Sequence, residues 1–341
     1  MGRRLVLTTF GESHGKCVGA VLDGCPAGLK LEEGDIQGML DQRRPGQSAI
    51  STQRAEGDKV EILSGVFRGS TTGAPIAMII WNRDQRSTDY EELKTKLRPG
   101  HSDYPAMIKY KGHNDYRGGG RFSGRLTATL VMGGAIARKL THSYVSQIGK
   151  VAMGKRFTEK MIPDIYGNDV RCPDPEAAAL MRAAILGARR DMDSLGGMIE
   201  SVTTGLPVGL GEPVFGSLES DISSGVFSIP SVKGVEFGSG FAGSESTGSQ
   251  NNDTRTNNAG GILGGISIGM PLTLRVAFKP ASSIPREQPT VDIKSGKDAV
   301  LSVKGRHDPC VVPRAPPVVD SVVALVLADH ALLGGFIGPV L

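Results

Sequence analysis

Arg117-Gly118-Gly119-Gly120-Arg121-Phe122-Ser123-Gly124-Arg125 sets three successive glycines and three arginines ahead of a helical pattern. Leu126, Leu130, Gly134, Ala137 and Leu140 then recur at helical intervals, so the stretch is a loop that opens a helix with one buried stripe. Glycines let the backbone approach a ligand closely, Ser123 can cap the helix, and a helix N-terminus favours an anion. The arginines add planar, bidentate charge suited to phosphate. The same residues would also serve as a flexible turn with solvated arginines, so a phosphate loop needs support from elsewhere in the chain.

Working outward from this loop, the pattern alternates strands and helices. Residues 4–10 and 17–22 read as strands around the turn Gly11–Gly15, a hairpin-like opening. Residues 32–44 are helical through Ile36, Met39 and Leu40, and Pro45-Gly46 stops them. Residues 60–67 and 75–81 read as strands, the second a continuous apolar run suited to a buried sheet. Beyond the loop come an amphipathic helix over 175–195, opened by Asp174-Pro175, and strands over 198–204 and 272–278. Those strands flank a Gly/Ser/Asn-rich stretch, 237–269, too long to be an idle linker. A loop over 304–317 and a helix over 318–333 close the chain.

Three echoes imply an internal duplication. Gly24-x-Pro26-x-Gly28-Leu29 returns as Gly205-x-Pro207-x-Gly209-Leu210. Ile62-Leu63-x-Gly65-Val66, followed by Gly73-x-Pro75-Ile76, returns as Ile262-Leu263-x-Gly265-Ile266, followed by Gly269-x-Pro271-Leu272. Gly120-Arg121 before one long helix returns as Gly305-Arg306 before the last. The expectation is one α/β domain over 1–341, built of two pseudo-two-fold halves at roughly 1–142 and 196–335.

Composition narrows the function classes. With 39 Lys and Arg against 35 Asp and Glu, and no dense basic run, the chain does not read as a nucleic-acid binder, and any strong positive field must be local. Its 47 glycines are about twice the usual share of roughly 7%. The N-terminus lacks a secretory pattern, and the apolar stretch 318–336 is interrupted by Asp320, Asp329 and His330, so the chain reads as cytoplasmic with no membrane span. Cys17, Cys25, Cys172 and Cys310 have neither metal nor disulfide-framework spacing and read as reduced structural residues, with no metal site.

Several residues can carry chemistry. Gly11-Glu12-Ser13-His14-Gly15 matches the nucleophile elbow of serine hydrolases, but an elbow needs a helix after it, and residues 16–22 read as a strand. What remains is His14, a proton donor in a tight polar turn. His101 lies in a second turn, three residues after Arg98, and a lone loop histidine is more often a surface residue. Asp308 in Arg306-His307-Asp308-Pro309 is either a turn residue or a base in a basic pocket. Lys279-Pro280-Ala281-Ser282-Ser283 puts a cation and two hydroxyls at a strand end, where ligands often bind.

Taken together, Phe10-Gly11-Glu12-Ser13-His14-Gly15, Arg43-Arg44-Pro45-Gly46, Arg98-Pro99-Gly100-His101-Ser102-Asp103, Asp115-Tyr116-Arg117-Gly118-Gly119-Gly120-Arg121, Gly248-Ser249-Gln250-Asn251, Asn258 to Gly265, Lys279 to Ser283 and Gly305 to Cys310 closely resemble the chorismate synthase family. The resemblance spans nearly the whole chain. It implies a sandwich of sheets and helices, β-α-β, in two pseudo-symmetric halves. The implied reaction is 1,4-elimination of phosphate from 5-enolpyruvylshikimate 3-phosphate to give chorismate, with reduced FMN required and no net redox change. His14, His101 and Asp308 would be catalytic; Arg43, Arg44, Arg98 and Arg125 would bind substrate anions, as would Arg306, which would also touch FMN. FMN would meet Arg121, Phe122, Ser123, Gln250, Asn251, Gly264 and Lys279, Pro280, Ala281, Ser282 and Ser283. A homotetramer is the family's usual assembly.

Departures from the family pattern carry weight. Phe122-Ser123-Gly124-Arg125-Leu126 stands where many members read Ser-Ser-Ala-Arg-Glu. Ala49 stands where many place an arginine, so an NADP contact there, and an intrinsic flavin reductase, are not expected. The alternatives are a flavin- or phosphate-binding protein of the same fold without lyase activity, and a serine hydrolase built on Ser13.

Overall fold

A computed structural model describes residues 1–52, 57–83, 87–137, 141–303, 305 and 307–341. The first half opens with β1 (Val6–Gly11) and β2 (Cys17–Asp23), which pair antiparallel from Val6 opposite Asp23 to Gly11 opposite Val18. Helix α1 (Glu33–Arg43) follows, started by a capping box in which Glu32 and Asp35 exchange side-chain and backbone bonds. Next come β3 (Val60–Ile62) and β4 (Ile76–Trp81), a short helix α2 (Asp103–Lys109), and α3 (Thr127–Ala137) after the glycine loop. The end of the predicted helix at Leu140 lies outside the described residues.

The second half runs β5 (Thr141–Ile148), α4 (Pro175–Arg190), β6 (Gly197–Thr203), α5 (Leu218–Phe227), β7 (Val232–Phe237), β8 (Leu272–Phe278) and α6 (Pro316–Leu333). The first sheet has the antiparallel order β1-β2-β4-β3. The second has β5-β6-β8-β7, the same order in its own numbering, with the two-residue strand Val151–Ala152 beyond β5. The matching order is what a duplication would leave, and from it we propose a second unit that opens at Thr141 rather than near 196, with α4 inserted between its first two strands.

The helices fill the space between the sheets in two layers, so the sandwich is β-α-α-β. Helix α3 packs on β1 and β2, α6 packs on β5, β6 and α5, and α3 and α6 pack on each other. Gly134 makes that crossing possible, since a Cβ there would lie 2.1 Å from the Ser321 Cβ, and Gly133 lets α3 approach β1, since a Cβ there would strike Leu7. Helix α6 is apolar and long enough to cross a membrane, yet nearly all of it is buried in this core.

Local pattern misjudged two stretches. The expected strand 60–67 divides into β3 and a two-residue strand, Val66–Phe67, because Gly65 turns the chain at φ 84°. Helix α4 stops at Arg190, five residues early, where Met192 takes a positive φ. The stretch 237–269, expected to be more than a linker, holds helical turns over Gly240–Glu245 and Gly248–Asn251 and a hairpin of Ile262–Leu263 with Ile266–Ser267.

Candidate active site

The glycine loop has the shape its sequence asks for. Gly118, Gly119 and Gly120 have φ of 57°, 81° and 51°, a left-handed run that residues with a Cβ avoid. The carbonyl of Gly120 accepts from the Ser13 N–H at 3.2 Å, which ties the loop to the first hairpin turn. Ser123 Oγ accepts from the Arg125 N–H at 3.3 Å and caps the short helical turn that leads into α3.

Both imidazoles rest on this loop, one on each of two successive glycines. A Cβ at Gly118 would lie 2.1 Å from His14 Nδ1, and one at Gly119 would lie 3.3 Å from His101 Nε2. The far side of His14 meets the Tyr90 ring edge to face, with centroids 5.0 Å apart. His101 Nδ1 lies 2.7 Å from Asp103 Oδ1, so its Nε2 is the atom turned toward the loop. Arg98 forks onto the same carboxylate through Nε at 2.8 Å and Nη2 at 2.7 Å. Burial alone would raise the Asp103 carboxyl, but the bonds from Arg98 and His101 outweigh it and hold the group well below the usual carboxylate range.

A second carboxylate, Asp58, sits beneath the loop with no exposed side-chain surface. Arg43 Nη1 donates to it at 2.8 Å, and Arg125 Nη1 pairs with its other oxygen. Burial pushes the Arg43 guanidinium down to about 9, against the opposing pull of Asp58. For Asp58 itself, burial raises the carboxyl, and Arg43 and Arg125 together lower it further than burial lifts it. Arg43 also donates to Thr127 Oγ1 and to the Gly124 carbonyl, so it braces the start of α3 as much as it faces the cleft.

These loops and loops of the second half close around a cavity of about 670 Å³. His101, Arg43, Arg98, Arg121, Phe122, Ser123 and Arg125 line it from one side; Lys233, Lys279, Ala281, Ser282, Ser283, Asp308 and Arg314 line it from the other. His14 is not on that wall itself but packs directly behind it, against Gly118 and Tyr90. Lys279 Nζ donates to the Gly100 carbonyl and to Ser282 Oγ, both at 2.7 Å, and burial lowers its pKa with help from Lys233. Asp308 accepts from the Thr52 N–H at 2.8 Å and from Arg314 Nη1 at 2.5 Å.

Other predicted residues fall elsewhere. Arg44 pairs with Asp41 on the surface and does not line the cavity. Pro280, Gln250, Asn251 and Gly264 do not line it either: Gln250 closes a capping box with Thr247, and Asn251 Oδ1 accepts from Ser239. Arg306 lies outside the described residues. Ser13 is buried and is followed by β2, so the elbow geometry is absent. Among the described residues no cluster of His, Cys, Asp or Glu has the makings of a metal site.

Sequence reasoning missed Asp58, Asn82, Tyr90, Lys233 and Arg314, and quoted Asp103 without giving it a role. Only Arg314 left a hint, since a cation directly ahead of a helix N-terminus opposes the helix dipole and implies an anion close by.

Seven cations on the cavity wall meet one carboxylate among the described lining residues, and with Asp58 and Asp103 behind the wall the balance is still positive, which suits an anionic ligand. With two imidazoles held at its edge, the cleft defines an enzyme that binds a small polyanion and handles its protons. Residues 5–332 match the family model described as chorismate synthase. Proteins named chorismate synthase from Korarchaeum cryptofilum, Dehalococcoides mccartyi and Christiangramia forsetii are similar to it at 51%, 49% and 50% identity, covering 97%, 99% and 97% of this chain and 96%, 97% and 96% of theirs. A solved structure titled as a crystal structure of chorismate synthase superposes with a TM-score of 0.77 at 30% identity, covering 98% of this chain and 93% of that one. The chain belongs to the chorismate synthase family, a family of lyases.

Proposed function

We propose that the protein makes chorismate from 5-enolpyruvylshikimate 3-phosphate by 1,4-elimination, with FMN as the flavin. The observation that carries this is the stacking of His14 and His101 on adjacent glycines beside one cation-rich cavity. The substrate's phosphate and two carboxylates need several cations, which Arg98, Arg125, Arg314 and Lys279 supply without raising the net charge of the chain above +4.

The residues present fit a flavin. The cavity of about 670 Å³ is large enough for a flat ring, Phe122 is exposed along its lining, and Lys279 with Ser282 and Ser283 offers donors to its phosphate. Reduced FMN, when bound, would supply electron density beside the breaking C–O bond with no net redox change, held by Lys279, Ser282 and Ser283. His14 hands a proton to the departing phosphate. His101, fixed by Asp103 at Nδ1, would offer its Nε2 to a bound flavin. Asp308, oriented by Arg314 and the Thr52 N–H, receives the ring proton. In balance, the C–H pair becomes a new C=C bond, the ring double bond already present shifts one position, and the C–O electron pair leaves with phosphate.

The cleft opens between the two halves, and loops from both wall it, so a bound substrate would displace water from it. A cytoplasmic homotetramer suits the surface. Phe215 is 95% exposed and Phe241 79%, apolar area that another copy would cover. For a nicotinamide nucleotide, the position of Ala49 is changed rather than emptied: Arg189 Nη1 reaches the Ala49 carbonyl at 2.6 Å. Nothing favours the binding-only alternative, since the relatives from Korarchaeum cryptofilum, Dehalococcoides mccartyi and Christiangramia forsetii, at about half identity, carry the enzyme's name.

The test is phosphate release from 5-enolpyruvylshikimate 3-phosphate with dithionite-reduced FMN, with and without the protein. Release at the uncatalysed rate in the presence of folded protein refutes the reading.

A further inference from the structure

Asn82 follows β4 and is buried, yet no role in the reaction falls to it from the sequence. Its side-chain amide makes three bonds. Nδ2 donates to the Glu12 carbonyl at 3.1 Å and to the Gly15 carbonyl at 2.8 Å, and Oδ1 accepts from Arg125 Nε at 3.1 Å. Its backbone N–H also donates to the Lys16 carbonyl at 3.0 Å. The amide orientation is unambiguous: a guanidinium only donates and a carbonyl only accepts, so oxygen must face Arg125 and nitrogen the two carbonyls. No other uncharged side chain of this size can do both.

Glu12 and Gly15 bracket the turn that carries Ser13 and His14. Arg125 in turn pairs with Asp58, which holds Arg43. One amide thus joins the imidazole turn to the buried arginine pair. We propose that Asn82 is a positioning residue that sets the height of His14 over the glycine loop relative to Arg125, so that proton donor and phosphate-binding cation meet the same ligand. This rests on the reading of His14 and Arg125 as parts of one active site. The geometry is demanding, because a misplacement of about 1 Å at a reacting group can cost about a hundredfold in rate.

Asn82→Asp separates the two ties. The carboxylate still accepts from Arg125, but it turns an oxygen toward the Glu12 and Gly15 carbonyls and pushes the His14 turn away. Expected in this variant are a kcat lowered about ten- to a hundredfold, a KM within about threefold, and displaced NMR cross-peaks of the His14 imidazole. The His330 peaks, from the far end of α6 where the ring meets Asp221, should stay in place. Asn82→Ala, which loses both ties, should raise KM as well. A kcat within twofold of the unaltered protein with unmoved His14 peaks overturns the proposal. So does a shift of His330 as large as that of His14, which would mark general disruption.

Should Asn82→Asp fail to fold, the unaltered protein still decides. Its Asn82 side-chain amide protons should exchange slowly with solvent, and fast exchange overturns the proposal. If the unaltered protein releases no phosphate, the proposed reaction falls, while the His14 spectrum and the amide exchange continue to judge Asn82.

Discussion

Asp58→Ala is the most exacting test of how the cleft holds its charge. The carboxylate is fully buried between Arg43 and Arg125, whose side chains are each 3% exposed. A charge pair about 4 Å apart at an effective dielectric of about 20 is worth about 4 kcal/mol of Coulomb attraction, and here two arginines share one partner. Desolvation cancels much of that gain in the intact protein, but removing one partner leaves the other charge stranded, at about 3 to 5 kcal/mol. Against a total stability of about 5 to 15 kcal/mol this is a large fraction. At about 2 °C per kcal/mol the melting temperature should fall by about 6 to 10 °C. Urea unfolding at neutral pH measures the loss directly. Asp58→Ala combined with Arg125→Met should be less destabilised than the two separate losses added together, because the second change removes a stranded charge. A melting temperature within about 2 °C of the unaltered protein, or strict additivity of the pair, would show that the triad does not carry this energy.

Three further outcomes are expected. His101→Ala should still bind FMN but turn over about two to four orders of magnitude more slowly, measured as phosphate release; unchanged turnover removes it from the chemistry. Gly118→Ala puts a Cβ on the His14 ring at a φ of 57° and should lower turnover at least about tenfold, whereas Gly124→Ala, with nothing within 4 Å of its Cβ, should change it less than about twofold. Asp103, whose folded carboxyl lies below its ordinary value, contributes stability that is present above about pH 4 and lost as pH falls through the folded value. Asp103→Asn should therefore be less stable than the unaltered protein at pH 7, and the gap should narrow by pH 3; a constant gap contradicts the assignment.

Much of the site was legible because its parts are local. Three glycines in a row announce a left-handed backbone, and Gly118, Gly119 and Gly120 adopt it. The motif strings placed His101, Arg98, Arg121, Arg125 and Lys279 in one cavity. What the motifs did not convey is which cations are free to meet a ligand. Arg43 reads as a substrate arginine, yet Asp58, Thr127 and Gly124 engage it on three sides. Arg44, its neighbour in sequence, points to the surface and Asp41 instead.

From the sequence alone came the α/β class, the first hairpin, the long helices, the echoes between the halves and the family. Each depends on a period or a string a few residues long, and such patterns survive without their tertiary surroundings. Tertiary structure alone decided that the sandwich has two helical layers, that Asp58 and Asn82 stand behind the ligand-facing residues, and that Arg314 joins the cavity wall. Asp58 meets Arg125 across 67 positions and Asn82 across 43. A buried charge or amide is paired by whatever the fold brings within about 3 Å, and no local periodicity encodes that partner.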